Sequence, residues 1–304
     1  MRPLLSAFAA LFIVATFPAH ALDAVPITNG VYAIVGPLEQ RNPENLANNA
    51  TFGFVVTDSG VVLVDPGGSY KGAAAIAAAI AKVTPKPVTH VINTGGQDHR
   101  WLGNGYFSEH GAVIIASSAA VADHKARVTD QFFALGQLIG KDALAGTRDV
   151  YASQTFEDAL DLNIGGVQFK LRHVAGAHTP GDAFVWLPQK NVVFTGDIVY
   201  VERMLGVGPQ SSIATWLDAF AAIEALAPTH VVPGHGSVTT LARAQAETRD
   251  YLTLLRTKIG AIIENGGDIN DATAIDQSAF SHLGVYKQIK GRNAQQVFQQ
   301  MEWE

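Results

Sequence analysis

The chain of 304 residues contains no cysteine. This excludes disulfides, thiolate metal ligands and a cysteine nucleophile, and leaves the apolar core as the source of stability. Charge is sparse: 21 Lys and Arg stand against 27 Asp and Glu, a net charge of −6, with no basic cluster. Such a chain has little with which to neutralise phosphates, so nucleic acid is not an expected partner. Long apolar runs are missing after the N-terminus. The one at residues 4–17 is too short for a comfortable membrane span. With Arg2 before it and Ala19-His20-Ala21 after it, it has the form of a secretory signal peptide cleaved after Ala21. The sequence therefore predicts an exported, periplasmic protein with no membrane association in its mature form. It is silent on oligomeric state.

What is present is a regular alternation of elements. Strand-like runs occur at 31–35, 52–57, 61–64, 88–92 and 112–116, with Asp58-Ser59-Gly60 turning the second into the third. Further strands are expected at 168–174, 183–187, 191–194 and 230–232, with a hairpin turn at 187–191. Helices are expected at 71–83, stopped by Pro85, at 117–138, at 211–226 behind a serine cap, at 241–264 and at 293–301. Strand-rich halves with helices between them predict two packed sheets covered by helices. The domain organisation expected is a signal peptide at 1–21, a catalytic domain at 22–240, and a helical extension at 241–304 packed on that same domain.

Chemistry gathers where apolar strands end. Asn93-Thr94-Gly95-Gly96-Gln97-Asp98-His99 follows one strand and Ala177-His178-Thr179-Pro180-Gly181-Asp182 another. Thr195-Gly196-Asp197 and Pro233-Gly234-His235-Gly236 follow two more. An Asp or His just past the C-terminal end of each of several strands is what a metal site at one sheet edge requires.

With Leu63-Val64-Asp65-Pro66-Gly67, these segments come in an order that resembles the metallo-β-lactamase superfamily, over residues 31–236. The resemblance implies an α+β fold, an αββα four-layer sandwich with metals at the sheet edge. In that family the first loop reads Asn-Thr-His-x-His-x-Asp-His, supplying two histidines to one metal position and an Asp-His pair to the other. Here Asn93, Thr94, Asp98 and His99 are kept, but Gly95-Gly96-Gln97 between them is one residue short and contains no histidine.

The resemblance therefore implies a degenerate first position with only His178 as a ligand, and a second position built from Asp98, His99, Asp197 and His235. Imidazoles and carboxylates in that number suit one Zn²⁺, though the set would also hold Fe or Mn. Asp98 and His178 are the expected catalytic residues, with a carboxylate or His178 as general base. Asp65 is expected to support the metal loop by hydrogen bonding. Residues 100–107 and 292–302 are similar to an exported branch of the superfamily associated with sulfur oxidation and quinoprotein systems.

The remaining histidines of the ten have ordinary structural explanations. His173 alone sits close enough in sequence to His178 to compensate as a ligand or donor. Asp182, just past Pro-Gly, reads as a turn cap. The expectation is an exported, mononuclear metal-dependent hydrolase acting on a small molecule through a thioester, lactone or similar carbonyl bond. The alternative is a non-catalytic periplasmic metal- or ligand-binding protein derived from the same fold.

Overall fold

The computed structural model describes residues 22–304; the expected signal peptide at 1–21 lies outside the described residues. Seven strands lie side by side in chain order: β1 (Ala24–Thr28), β2 (Val31–Val35), β3 (Thr51–Thr57), β4 (Gly60–Val64), β5 (Val88–Ile92), β6 (Val113–Ser117) and β7 (Gln154–Phe156). The first four pair antiparallel, and β4 to β7 pair parallel. A second mixed sheet is built from β8 (Ala159–Ile164), β9 (Val167–Arg172), β10 (Phe184–Leu187), β11 (Val192–Phe194) and β12 (His230–Val232), with β11 and β12 parallel. Among the described residues there are eight α-helices: α1 (Tyr70–Ala81), α2 (Asn104–Glu109), α3 (Ser118–Leu144), α4 (Ile213–Glu224), α5 (Leu241–Ala244), α6 (Asp250–Glu264), α7 (Ile269–Thr273) and α8 (Tyr286–Met301).

The period of two in β3 and β4 sets the layers. Phe52, Phe54, Val61 and Leu63 point to one face and pack with Ile76 and Ile80 of α1. Val55, Val62 and Val64 point to the other and meet Phe169, Leu171, Val185 and Val192 of the second sheet. The outer face of that sheet, through Val193 and Val231, is covered by Trp216 and Phe220 of α4, Leu255 of α6 and Val297 of α8. Helix, sheet, sheet, helix is the expected sandwich. Burial on both faces is why β3 and β4 read as continuous apolar runs.

Three strands, β1, β7 and β8, were not in the sequence expectation. The first and last lie at sheet edges and are half exposed. Helix α8 starts at Tyr286, seven residues before the expected 293, because its first two turns are polar. No helix among the described residues is long and apolar enough to cross a membrane. Parallel pairing of β4 with β5 and of β11 with β12 brings the loops after these four strands to one edge, where the chemistry collects.

Candidate metal centre

Asp65, one residue past β4, has a left-handed backbone (φ 65°) that Asp tolerates better than most side chains. Its carboxylate accepts from the Thr94 amide and hydroxyl, both at 2.8 Å, and from Arg100 Nη1 at 2.9 Å. This is the supporting role expected of Asp65, and it fixes the start of the 93–100 loop. Burial raises the Asp65 pKa, and the Arg100 charge and the Thr94 hydrogen bonds work against it.

Arg100 is the centre of the arrangement and is fully buried. Nη1 also donates to the Thr51 carbonyl at 3.0 Å; Nη2 donates to Asp197 Oδ1 at 2.8 Å and to the Gly234 carbonyl at 2.7 Å. A Cβ on Gly234 would stand 2.7 Å from Nη2, so only glycine lets the guanidinium approach. Burial opposes the Arg100 charge, but Asp197 and Asp65 outweigh it and raise its pKa further. Burial likewise works against ionised Asp197. The charges of Arg100 and His99 and the hydrogen bonds of His235 and His99 overcome it and hold that carboxyl well below the usual range.

Around Asp197, His99 Nε2 lies 3.2 Å from Oδ2 and His235 Nε2 lies 3.3 Å from Oδ1. His99, Asp197 and His235 are buried, and one ligand atom from each falls within 4.8 Å of the others. Tyr200 stacks on the His235 ring at 4.6 Å and closes its other side.

Asp98 and His178 stand outside this trio. Asp98 Oδ1 accepts from Arg41 Nε at 3.0 Å and Nη2 at 2.5 Å, and lies 3.1 Å from His99 Nδ1. Burial would raise the Asp98 pKa, but the charge of Arg41 and the hydrogen bond and charge of His99 keep it ionised. His178 gives its Nδ1 to the Gly206 carbonyl at 2.9 Å, which leaves Nε2 as the lone-pair nitrogen in a residue lining the cavity. Burial pushes its pKa down to about 4, so the ring is neutral at pH 7. His173 has its Nδ1 on the Asp182 carbonyl. Asp182 caps its own turn through Thr179, as expected, and burial followed by the Asp197 charge pushes its pKa up to about 8.

This geometry favours one register of the 93–100 loop over the other. Counted forward from Thr94 without a gap, the family's two histidine positions fall on Gly95 and Gln97, and its Asp-His pair falls on His99 and Arg100. Side chains follow that count: His99 faces Asp197, and Arg100 reaches the same carboxylate. Arg100 carries no signal of its own in the sequence because Asp98-His99 imitates the motif one position early. Arg41 had no signal at all, being a lone arginine in the 36–50 connection.

The donor set fits one ion. Two imidazoles and a carboxylate are donors of the type zinc takes, and one ligand atom from each lies within 4.8 Å of the others. His235 Nδ1 is buried without any hydrogen-bond partner, and its Nε2 meets only Asp197. A second ion has far less to hold it: of the family's first three positions, only His178 carries an imidazole.

Comparison with known proteins agrees with the fold. The sequence model of the family described as "Metallo-beta-lactamase superfamily" matches residues 47–235. The metallo-beta-lactamase type 2 of Bacteroides fragilis is 27% identical over 85 residues, a match spanning 27% of this chain and 34% of that protein. Among solved structures, a metallo-beta-lactamase from Pontibacter korlensis superposes with a TM-score of 0.61 at 18% identity, covering 76% of this chain and 99% of that one. The stereoselective inverting sec-alkylsulfatase Pisa1 from Pseudomonas sp. superposes with a TM-score of 0.69 at 15% identity, covering 91% of this chain and 50% of that one.

Proposed function

The chain belongs to the metallo-β-lactamase superfamily, and we propose that within it this protein is an exported hydrolase working with a single metal ion held by His99, Asp197 and His235. The convergence of two imidazoles on the two oxygens of one buried carboxylate carries this proposal. Zinc is the favoured ion for the donor set, with Fe or Mn as substitutes. Such an ion lowers the pKa of a water bound to it toward ~7 and polarises a scissile carbonyl. A thioester, lactone or similar carbonyl bond in a small molecule is the proposed target. The exported branch associated with sulfur oxidation is retained as a proposed placement, resting on residues 100–107 and 292–302.

The protein's own groups have defined tasks. His99 Nδ1 lies 2.9 Å from Arg41 Nη2 and 3.1 Å from Asp98 Oδ1, and Asp98 Oδ1 in turn accepts from that same Arg41 fork, so the pair would hold the His99 ring with Nε2 turned to the ion. Asp98 is thus a positioning residue, for His99 and for Arg41. His178, neutral and anchored through Nδ1, presents Nε2 to the cavity as an acceptor that orients a water or a substrate donor. Its low pKa makes it a weak base, so orientation is its larger contribution. Arg100 keeps Asp197 ionised and fixed in place.

The second reading, a non-catalytic binding protein, is favoured by one observation: Asp197 already has a full positive charge from Arg100 on one oxygen. Elemental analysis of purified mature protein, paired with a panel of thioesters and lactones, separates the two. About one metal per chain with turnover supports the hydrolase; metal without turnover supports the binding protein; no metal refutes both metal-based readings.

A further inference from the structure

Above the candidate metal centre lies a cavity of about 340 Å³, a size suited to a small molecule. Among the residues lining it are Arg41, Arg203 and Arg292, and none is an Asp or Glu. In a chain with a net charge of −6 this is a local reversal of sign. Arg203 and Arg292 are also unusual among the described arginines. Every other one has a carboxylate within ion-pairing distance, whereas these two have none.

Their backbones are held firmly. Arg203 spends only Nε, on the Leu38 carbonyl at 2.8 Å, and keeps both terminal nitrogens without a protein acceptor. Arg292, on α8, has no hydrogen bond to protein, and its Nη2 lies 3.6 Å from where a Gly206 Cβ would be. The Gly206 carbonyl is the anchor of His178, so this guanidinium sits beside the proposed catalytic groups. Next to it, Asn293 accepts from the Val207 amide at 2.9 Å and donates to the Leu205 carbonyl at 2.7 Å, fixing α8 against the cavity wall. Burial, together with repulsion from Arg41 and Arg292, pushes the Arg203 pKa down. Two guanidinium forks without protein acceptors, one of them anchored through Nε, offer the donors that bind an oxyanion.

We propose that this cavity is an oxyanion subsite in which Arg203 and Arg292 hold a negatively charged group (carboxylate, sulfate or phosphate) of the substrate, with α8 completing the pocket. This inference deepens the hydrolase reading and rests on it for the word substrate; the anion site itself does not require the ion.

The test is calorimetric titration with sulfate, inorganic phosphate and succinate at constant ionic strength, with metal content measured on the same samples before and after chelation. Saturable binding of at least one anion to chelated protein is expected. It should weaken at least fivefold in Arg203→Gln and in Arg292→Gln, recover in part in Arg292→Lys, and stay unchanged in Arg172→Gln, a surface control. Arg292 is exposed, so its variant tests the site even where Arg203→Gln fails to fold. The three anions tell the sources apart by their relative affinities. Absence of saturable binding, or equal binding by Arg292→Gln, overturns the proposal. Metal bound without anion binding sinks this inference and leaves the hydrolase reading standing; anion bound without metal does the reverse.

Discussion

Arg100 Nη2 lies 2.8 Å from Asp197 Oδ1, with both side chains shut away from solvent, and the other fork of the same guanidinium holds Asp65 at 2.9 Å. One cation thereby joins the two sheets' loops and fixes the carboxylate around which the histidines gather. Two carboxylates and one guanidinium leave a net negative charge, which is the imbalance that a bound cation offsets.

Replacing Arg100 by methionine keeps much of the volume and removes the charge. Two buried carboxylates then lose their partner, and a loss of about 3–5 kcal/mol is expected, read as a lower urea midpoint at unchanged slope. A loss below about 1 kcal/mol would mean that the ion pairs contribute little to stability.

Restoring the family's histidines does not restore a second metal position. A Cβ on Gly95 would stand 2.2 Å from Asp182 Oδ1, and Asp182 is itself pinned by the Thr179 amide and hydroxyl. The Gly95→His, Gln97→His double variant is therefore expected to be less stable and to bind no more metal than the parent. A clean rise to two ions per chain by elemental analysis would contradict this.

The sandwich was legible because the strands alternate or run apolar, and because glycine-flanked Asp and His residues follow four of them. Register within one loop was not. Asp98-His99 looks like the family pair, and only the side-chain directions reveal that His99 occupies the acidic position and Arg100 that of the histidine beside it. His235 and Asp197 stand out in the sequence because nothing beside them competes for the same role, and the fold brings them together with His99. Arg41, Arg203 and Arg292 are far apart in sequence and meet only through folding, so no local pattern announces them.

Asp98 and His235 are expected to differ in kind. Asp98→Asn should keep a metal ion with affinity weakened about 10–100-fold, the usual effect of altering a group that orients a ligand. His235→Ala should lose the ion altogether, since only two of the three ligands remain. Equilibrium titration with a competing chelator measures both, and equal losses in the two variants would promote Asp98 to a direct ligand.

His124 supplies a pH dependence away from the metal loop's ligands. Its ring stacks on Trp101 at 4.4 Å, Nε2 donates to the Gly95 carbonyl at 2.9 Å, and Nδ1 is buried without a partner. Burial, opposed more weakly by the Gly95 hydrogen bond and the Asp123 charge, pushes its pKa down from 6.5 to about 4. The unfolded chain therefore takes up this proton first as pH falls, and stability should decline between pH 6.5 and 4 by about 3 kcal/mol from this group. Above pH 6.5 it contributes no slope. His124→Gln keeps a donor and should flatten the urea-midpoint profile in that window; an unchanged profile would assign the acid sensitivity elsewhere.

The central claim is the position and number of the ion. Anomalous diffraction at the zinc edge from zinc-loaded crystals is predicted to give one peak per chain, bonded to His99, Asp197 and His235. A peak centred on Asp98 and His178, two peaks, or none at full loading would contradict the account.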